Sequence, residues 1–226
     1  MPKRPWVMGQ TWDDLLFGHY RVPVATLRTH VPEGLEVEEH SGSGWLGVAP
    51  FLVTGLRARG LLPLPYASSY RELNVRTYVT RDAKPGIWFF SLDASSRLAV
   101  EAARRLYRLP YFHAEISVRR HGEEILYDCS RDDGKAFSAT YAPDGDVFNA
   151  EPGTLEHFLT ERYCLYAEHE GGLYRAEIHH RRWPLQRAQA RIELNTMPPF
   201  KLDPGEQTLF HYSARQDVVI WPLESA

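Results

Sequence analysis

Between residues 70 and 79 the chain alternates. Tyr70, Glu72, Asn74, Arg76 and Tyr78 carry polar or hydroxylated side chains, and Leu73, Val75, Thr77 and Val79 lie between them, with Arg71 the exception at the start. A period of two predicts a strand with two unlike faces. The turn "RDAKPG" (81–86) leads to an apolar run, "IWFFSLD" (87–93), and the two runs make a hairpin. The pattern then changes period. "ASSRLAVEAARRLYRL" (94–109) is the clearest helix: Ser95 or Ser96 caps it, Leu98, Ala102, Leu106 and Leu109 fall on one face, and Pro110 ends it.

The same reading along the rest of the chain predicts a short helix within 22–35, between Pro23 and Pro32–Gly34. A buried strand follows over 44–53, and a Gly- and Pro-rich packing loop over 54–69. Strands are expected near 111–120, 123–131 and 135–142, with "RHGEE" and "RDDGK" as turns. A second helix covers 152–163. A hairpin follows from "YCLYAEH" through "EGG" to "LYRAEIHHRRWPL", and "TLFHYSARQDVVIWPL" supplies two more strands. Many antiparallel strands with two or three inserted helices, no long linker and no internal repeat predict one α+β domain over 1–226, mainly antiparallel β, built on a large curved or barrel-like sheet.

Composition narrows the function classes. The 226 residues are 43% apolar and 24% charged, with a net charge of −3, so nothing draws the chain toward nucleic acid or an anionic membrane. Lysine is scarce: Lys3, Lys84, Lys135 and Lys201 are the only four, so any mechanism needing a lysine has few candidates. The two cysteines, Cys129 and Cys164, form no disulfide framework or metal spacing and are expected as small core residues. The N-terminal stretch lacks a signal peptide's apolar run and no window has the length of a membrane span, so a reduced, cytoplasmic protein is expected.

The polar face of 70–79 has two readings. It is a solvated outer face on which Glu72 and Arg76 make weak surface pairs, or it lines a cavity inside a closed sheet whose apolar face meets helices. A carboxylate turned inward must be paired or protonated. Further candidates are Asp93 and Arg97 at the start of the main helix, where Asp93 favours the N-terminus and Arg97 pairs with it. His113, on "YFHAEISV", is a pocket acid or base or an ordinary strand histidine. His19 sits beside Tyr20 and Arg21. His179 and His180 point to opposite faces of a strand and cannot grip one ion together, so no metal is expected, and "HHRRW" is expected as a solvated strand end. There is no glycine-rich phosphate loop and no nucleophile elbow.

The stretches "GHYRVPVATLRTHVPEGLEVEEHSGSGWLGVAPF" (18–51), "ELNVRTYV" (72–79) and "FFSLDASSRLAVEAARRLYRLPYFHA" (89–114) closely resemble the YqjF-like bacterial proteins, over nearly the whole chain. A more distant similarity is to acetoacetate decarboxylase. It is carried by Val31, Pro32, Glu33, Gly34, Leu35 and Glu36, by the Tyr-x-Glu pattern of Tyr70 and Glu72, and by Leu92 and Asp93 running into the helix. That resemblance implies the acetoacetate decarboxylase-like fold, a curved sheet closed into a cone or barrel around a cavity, with Glu72 inside. It also shows departures. The decarboxylase carries adjacent lysines just past that helix, one forming a Schiff base. The corresponding stretch here, "EAARRLYRLPYF", has Arg104 and Arg105, and "WLGVAPF" lacks the family's other pocket glutamate. A protonated arginine does not attack a carbonyl at neutral pH.

These readings predict a polar internal cavity that binds, and acts on, a small organic acid or keto compound by non-covalent acid–base chemistry, without a cofactor. Glu72 is the acid or base, and Tyr70, Asn74, Arg76, Arg97 and His113 bind substrate. The alternatives are a non-catalytic binding or carrier protein with the same cavity, and a self-associating protein whose cavity is filled. A homodimer is the default expectation for its own assembly.

Overall fold

The alternation at 70–79 is one segment of a single large sheet. The structure, a computed structural model, describes residues 2–63, 68–203 and 208–226. In chain order its elements are β1 (Met8–Val22), α1 (Val24–Arg28), β2 (Glu36–Val37), β3 (Gly44–Ala58), β4 (Tyr70–Arg81), β5 (Lys84–Ala94), α2 (Arg97–Tyr107), β6 (Tyr111–His113), β7 (Glu115–His121), β8 (Glu124–Ser130), β9 (Ala136–Phe148), α3 (Leu155–Thr160), β10 (Cys164–His169), β11 (Gly172–His180), β12 (Leu185–Asn195), β13 (Thr208–Ile220) and β14 (Glu224–Ser225).

Seven strands follow one another side by side in the order β11–β10–β5–β4–β3–β1–β13. The last pairs back with the first through Ile178↔Ile220, His179↔Val219 and His180↔Val218, so the sheet closes on itself. β13 bridges two structures. Its C-terminal end completes the ring, while Tyr212 and His211 pair with Gln186 and Arg187 of β12 and begin a wing, β12–β9–β8–β7. The pairing is antiparallel except where β5 meets β10 and β6.

Two bulges decide which side chains enter the ring. In β1 the register with β3 shifts between Asp13 and Gly18, around Asp14 at φ 53°. Even residues Met8, Gln10 and Trp12 face inward before the bulge, and odd residues Leu15 and Phe17 join the same interior cluster after it. In β5 the register with β4 steps from Val75↔Ser91 to Arg76↔Phe89, skipping Phe90. Leu92 and Phe89 therefore both face inward.

Several expectations need correction. The outer face of β4 packs mainly on the wing rather than on helices: Leu73 and Val75 share a core cluster with Ile125, Tyr127, Phe137 and Ala139, to which α1 adds Leu27. No strand is expected from the sequence over β1 or β12, β3 extends to Ala58 into the first five residues of the expected loop, and the tail forms one long strand with a two-residue addition. On α2, Ser96 caps the helix by accepting from the Ala99 amide at 3.3 Å. The chain leaves it through Arg108 in the left-handed region at φ 55° rather than at Pro110. The buried face is Val100 and Tyr107, with Ala99 and Ala103 packed beside them, whereas Leu98 and Leu106 are 69% and 67% exposed.

Candidate functional site

The ring encloses a cavity of about 110 Å³ whose lining includes Tyr70, Glu72, Asn74 and Arg76 of β4, with α2 along one side. Glu72 is 4% exposed. The Tyr111 hydroxyl donates to both of its carboxyl oxygens, at 3.2 and 3.1 Å. The Tyr127 hydroxyl, reaching in from the wing, donates to the Glu72 carbonyl oxygen at 2.7 Å and fixes the strand there. Burial raises the Glu72 carboxyl to a pKa of about 8, the Tyr111 hydrogen bond works against it, and the charge of Asp93 adds to it. At neutral pH the carboxyl is predominantly protonated and the cavity holds a neutral acid.

Arg76 is also buried. With a rise of about 3.3 Å per residue, its Cα lies about 13 Å along the strand from that of Glu72, and the two side chains form no ion pair. Among the described residues no carboxylate pairs with Arg76. Its guanidinium lies 5.4 Å from the Phe17 ring centroid and its Nε has no hydrogen-bond partner. It approaches Gly47 closely, where a Cβ would lie 3.1 Å from Arg76 Cγ. Three more cavity-lining side chains carry unpartnered buried atoms: Trp12 Nε1, Trp183 Nε1 and Asn74 Oδ1. Next to Arg76, His19 is fully buried with neither ring nitrogen bonded, and its pKa is lowered well below 6.5 by burial, then by the charges of Arg76 and His211. A second buried arginine, Arg162, is neutralised by Glu38 and donates its Nε–H to the Phe158 carbonyl oxygen at 2.7 Å.

Of the residues read from the sequence as the site, β4 brings Tyr70, Glu72, Asn74 and Arg76 together in one cavity. Arg97 is exposed on the first turn of α2 and His113 is half-buried on β6, and neither lines the cavity. The expected Asp93–Arg97 pair is replaced by Asp93 with Arg131, at 3.3 Å. Asp93 is completely buried, accepts from Ser91 at 2.9 Å, and is raised to a pKa of about 6 chiefly by burial. The "HHRRW" segment is not a solvated end: His180 and Trp183 are buried and line the cavity. Tyr111, Trp12, Arg162, His180 and Trp183 were missed as site residues. The strand period puts Tyr111 on a face with His113, but only Tyr111 lines the cavity, so the period alone does not find it.

No lysine lines the cavity. Lys84 pairs with Glu177, Lys135 donates to the carbonyl oxygens of Met197 and Pro198, and Lys3 and Lys201 are exposed. Cys129 and Cys164 are free and buried, with thiols pushed up by burial. Among the described residues no three His, Cys, Asp or Glu side chains converge as a metal requires, and no helix is long and apolar enough to cross a membrane.

Comparison with known proteins extends these findings. The structure is similar to that of the enduracididine biosynthesis enzyme MppR complexed with pyruvate, with a TM-score of 0.72 at 13% identity over 100% of this chain and 91% of that one. It is also similar to an acetoacetate decarboxylase-like enzyme from Sphingomonas wittichii RW1, with a TM-score of 0.70 at 16% identity over 99% and 93%. At these identities the likeness establishes the acetoacetate decarboxylase-like fold alone. In sequence, the chain is 45% identical over 227 residues to "Uncharacterized protein YqjF" of Bacillus subtilis (strain 168), covering 99% of this chain and 94% of that protein. The DUF2071 family, described as "Uncharacterized conserved protein", matches residues 9–217. The chain belongs to this family of YqjF-like proteins.

Proposed function

We propose that the cavity binds a small organic acid and that Glu72 exchanges a proton with it, without a covalent intermediate. One observation carries the reading: a neutral buried carboxyl shares the cavity with Arg76, a buried cation that has no carboxylate partner among the described residues. The unpartnered N–H groups of Arg76, Trp12 and Trp183 each cost roughly 1–3 kcal/mol when left unbonded. A ligand carboxylate is the acceptor that relieves them. A pKa near the working pH suits Glu72 to both give and take a proton. The volume bounds the reacting part of the ligand. A cavity of about 150 Å³ admits benzene, so this one suits a group of about five or six heavy atoms. Pyruvate, with which MppR is complexed, is a molecule of that size and chemistry.

The test uses short 2-oxo acids, pyruvate first, in deuterated water. Binding is followed by fluorescence of Trp12 and Trp183, and exchange by loss of the proton signal of C3, the carbon next to the keto group, in NMR. Wild type is expected to bind and to speed exchange, Arg76→Met to weaken binding at least tenfold, and Glu72→Gln to bind without exchange. Exchange by Glu72→Gln at the wild-type rate removes Glu72 from the role. Tight binding by wild type with no exchange of any acid makes the protein a carrier.

A further inference from the structure

The apolar row of α2 that the sequence places on one helix face lies at the cavity's mouth. Leu98, Ala102 and Leu106 follow one another at four-residue steps and share a helix face. All three are exposed, and Ala102 and Leu106 also line the cavity. A residue that lines the cavity and is two-thirds exposed marks where the cavity meets solvent. Met8 and Leu56, both partly buried, line the same cavity, as does Ile220, which pairs with Met8 across β1 and β13. Met8, Ile220 and Leu56 lie at the end of their strands that holds Tyr70, since Tyr70 pairs with Val53 of β3 and Met8 with Ala58. Arg76 is six residues further along β4, about 20 Å by the strand rise. The cavity is therefore two-ended. It has a polar floor at Asn74 and Arg76 and an apolar opening formed by Met8, Leu56, Ala102, Leu106 and Ile220. Side chains as small as Ala99, Ala102 and Ala103 leave room under the helix where larger ones would fill it.

We infer that the acid bound here carries an unbranched apolar tail, which runs from the polar floor past Glu72 and leaves between α2 and the ends of β1 and β3, covering the Leu98–Ala102–Leu106 row. The inference rests on the reading above, that a carboxylate occupies the floor. It adds the substrate class, an amphiphilic straight-chain oxo acid. The tail is the occupant the structure favours for the exposed row because the row is continuous with the cavity.

The experiment is a chain-length series of straight-chain 2-oxo acids from three to sixteen carbons, with dissociation constants from the fluorescence of Trp12 and Trp183. Burying a methylene is worth about 0.8 kcal/mol, so affinity is expected to rise about fourfold per carbon until the tail clears Leu106. Leu106→Glu, a change at an exposed position that the fold tolerates, is expected to flatten that slope. Arg76→Met is expected to weaken every member of the series in parallel and keep the slope. Binding that is equally strong at every length overturns the tail and leaves the acid-binding reading standing. Failure of every acid to bind overturns both. Alcohols of the same lengths binding as tightly as the acids removes the carboxylate from the floor. A wild type that elutes as a dimer and becomes a monomer on Leu106→Glu shows that a second copy, not a ligand, covers the row, and also overturns the inference.

Discussion

Replacing Glu72 with glutamine tests the electrostatics of the cavity without a ligand. The carboxyl has a pKa of 4.5 in its ordinary state and about 8 in the fold. Its native pKa lies above its unfolded one, so between those values the native state holds a proton that the unfolded state has released. Stability is then full below about pH 4.5 and falls as pH rises toward 8. At 1.36 kcal/mol per pH unit the whole loss is about 5 kcal/mol. Glutamine has nearly the same shape, still accepts from Tyr111, and never ionises. Glu72→Gln is therefore expected to gain on wild type by about 3 kcal/mol between pH 5.5 and pH 8.5, close to linearly up to pH 7.5. Asp93, raised to about 6, and His19, lowered well below 6.5, titrate in both proteins and largely cancel in the difference. The assay is urea unfolding at four pH values, with the free-energy difference between the two proteins plotted against pH. A difference that is constant across the range refutes the reasoning, because it means that Glu72 titrates alike in the folded and unfolded chains.

Two further substitutions probe the supports of the site. Gly47→Ala places a Cβ at 3.1 and 3.2 Å from Arg76 Cγ and Nε, so the guanidinium must shift. Affinity for pyruvate is expected to fall about tenfold, on the order of 1.4 kcal/mol, and an unchanged dissociation constant removes Arg76 from the anion site. Arg131→Met leaves Asp93 buried without its cation and is expected to cost about 3–5 kcal/mol in urea unfolding at pH 7.5. Adding Asp93→Asn should restore at least half of that, and a double variant no more stable than the single one shows that the pair is not what holds β5 to the β8–β9 turn.

How far each part was legible depends on what its neighbours do to it. The β4 alternation stood out because both of its faces are buried for different reasons, one against the wing and one around a polar cavity. β1 was invisible because the bulge at Asp14 switches the inward side from Met8, Gln10 and Trp12 to Leu15 and Phe17, which erases a period of two. β12 does alternate, with Arg187, Gln189, Arg191 and Glu193 against Ala188, Ala190, Ile192 and Leu194, but the signal is weak because two of the four apolar residues are alanine. The spacing of the α2 stripe gives a shared face but not what covers it, and the structure leaves Leu98 and Leu106 exposed while Leu109 is buried. Only closure of the ring puts that row at a mouth. Closure also carries Trp183 and His180 inward from a stretch of charges that looked solvated, and replaces Arg97 by Arg131, almost forty residues from Asp93 in the chain, as its partner.

The cavity's chemistry follows from what occupies it in place of a lysine. A Schiff-base mechanism needs an amine beside the carbonyl carbon, and all four lysines lie elsewhere, two engaged with protein oxygens and two exposed. What remains is a proton donor whose pKa sits near neutrality and a cation with no internal counter-charge among the described residues. Either group is a liability for packing alone. The carboxyl costs the fold several kcal/mol above its unfolded pKa, and leaving Arg76 Nε and the two indole N–H groups unbonded costs more. Methionine or glutamine at these positions would fill the same space at less cost, so packing does not account for them. We read a bound carboxylate as the account of the cation and the idle donors, with the neutral Glu72 of the same cavity as the proton donor. The residues that weaken the ring as a core are thus the ones on which the proposed acid-binding site rests.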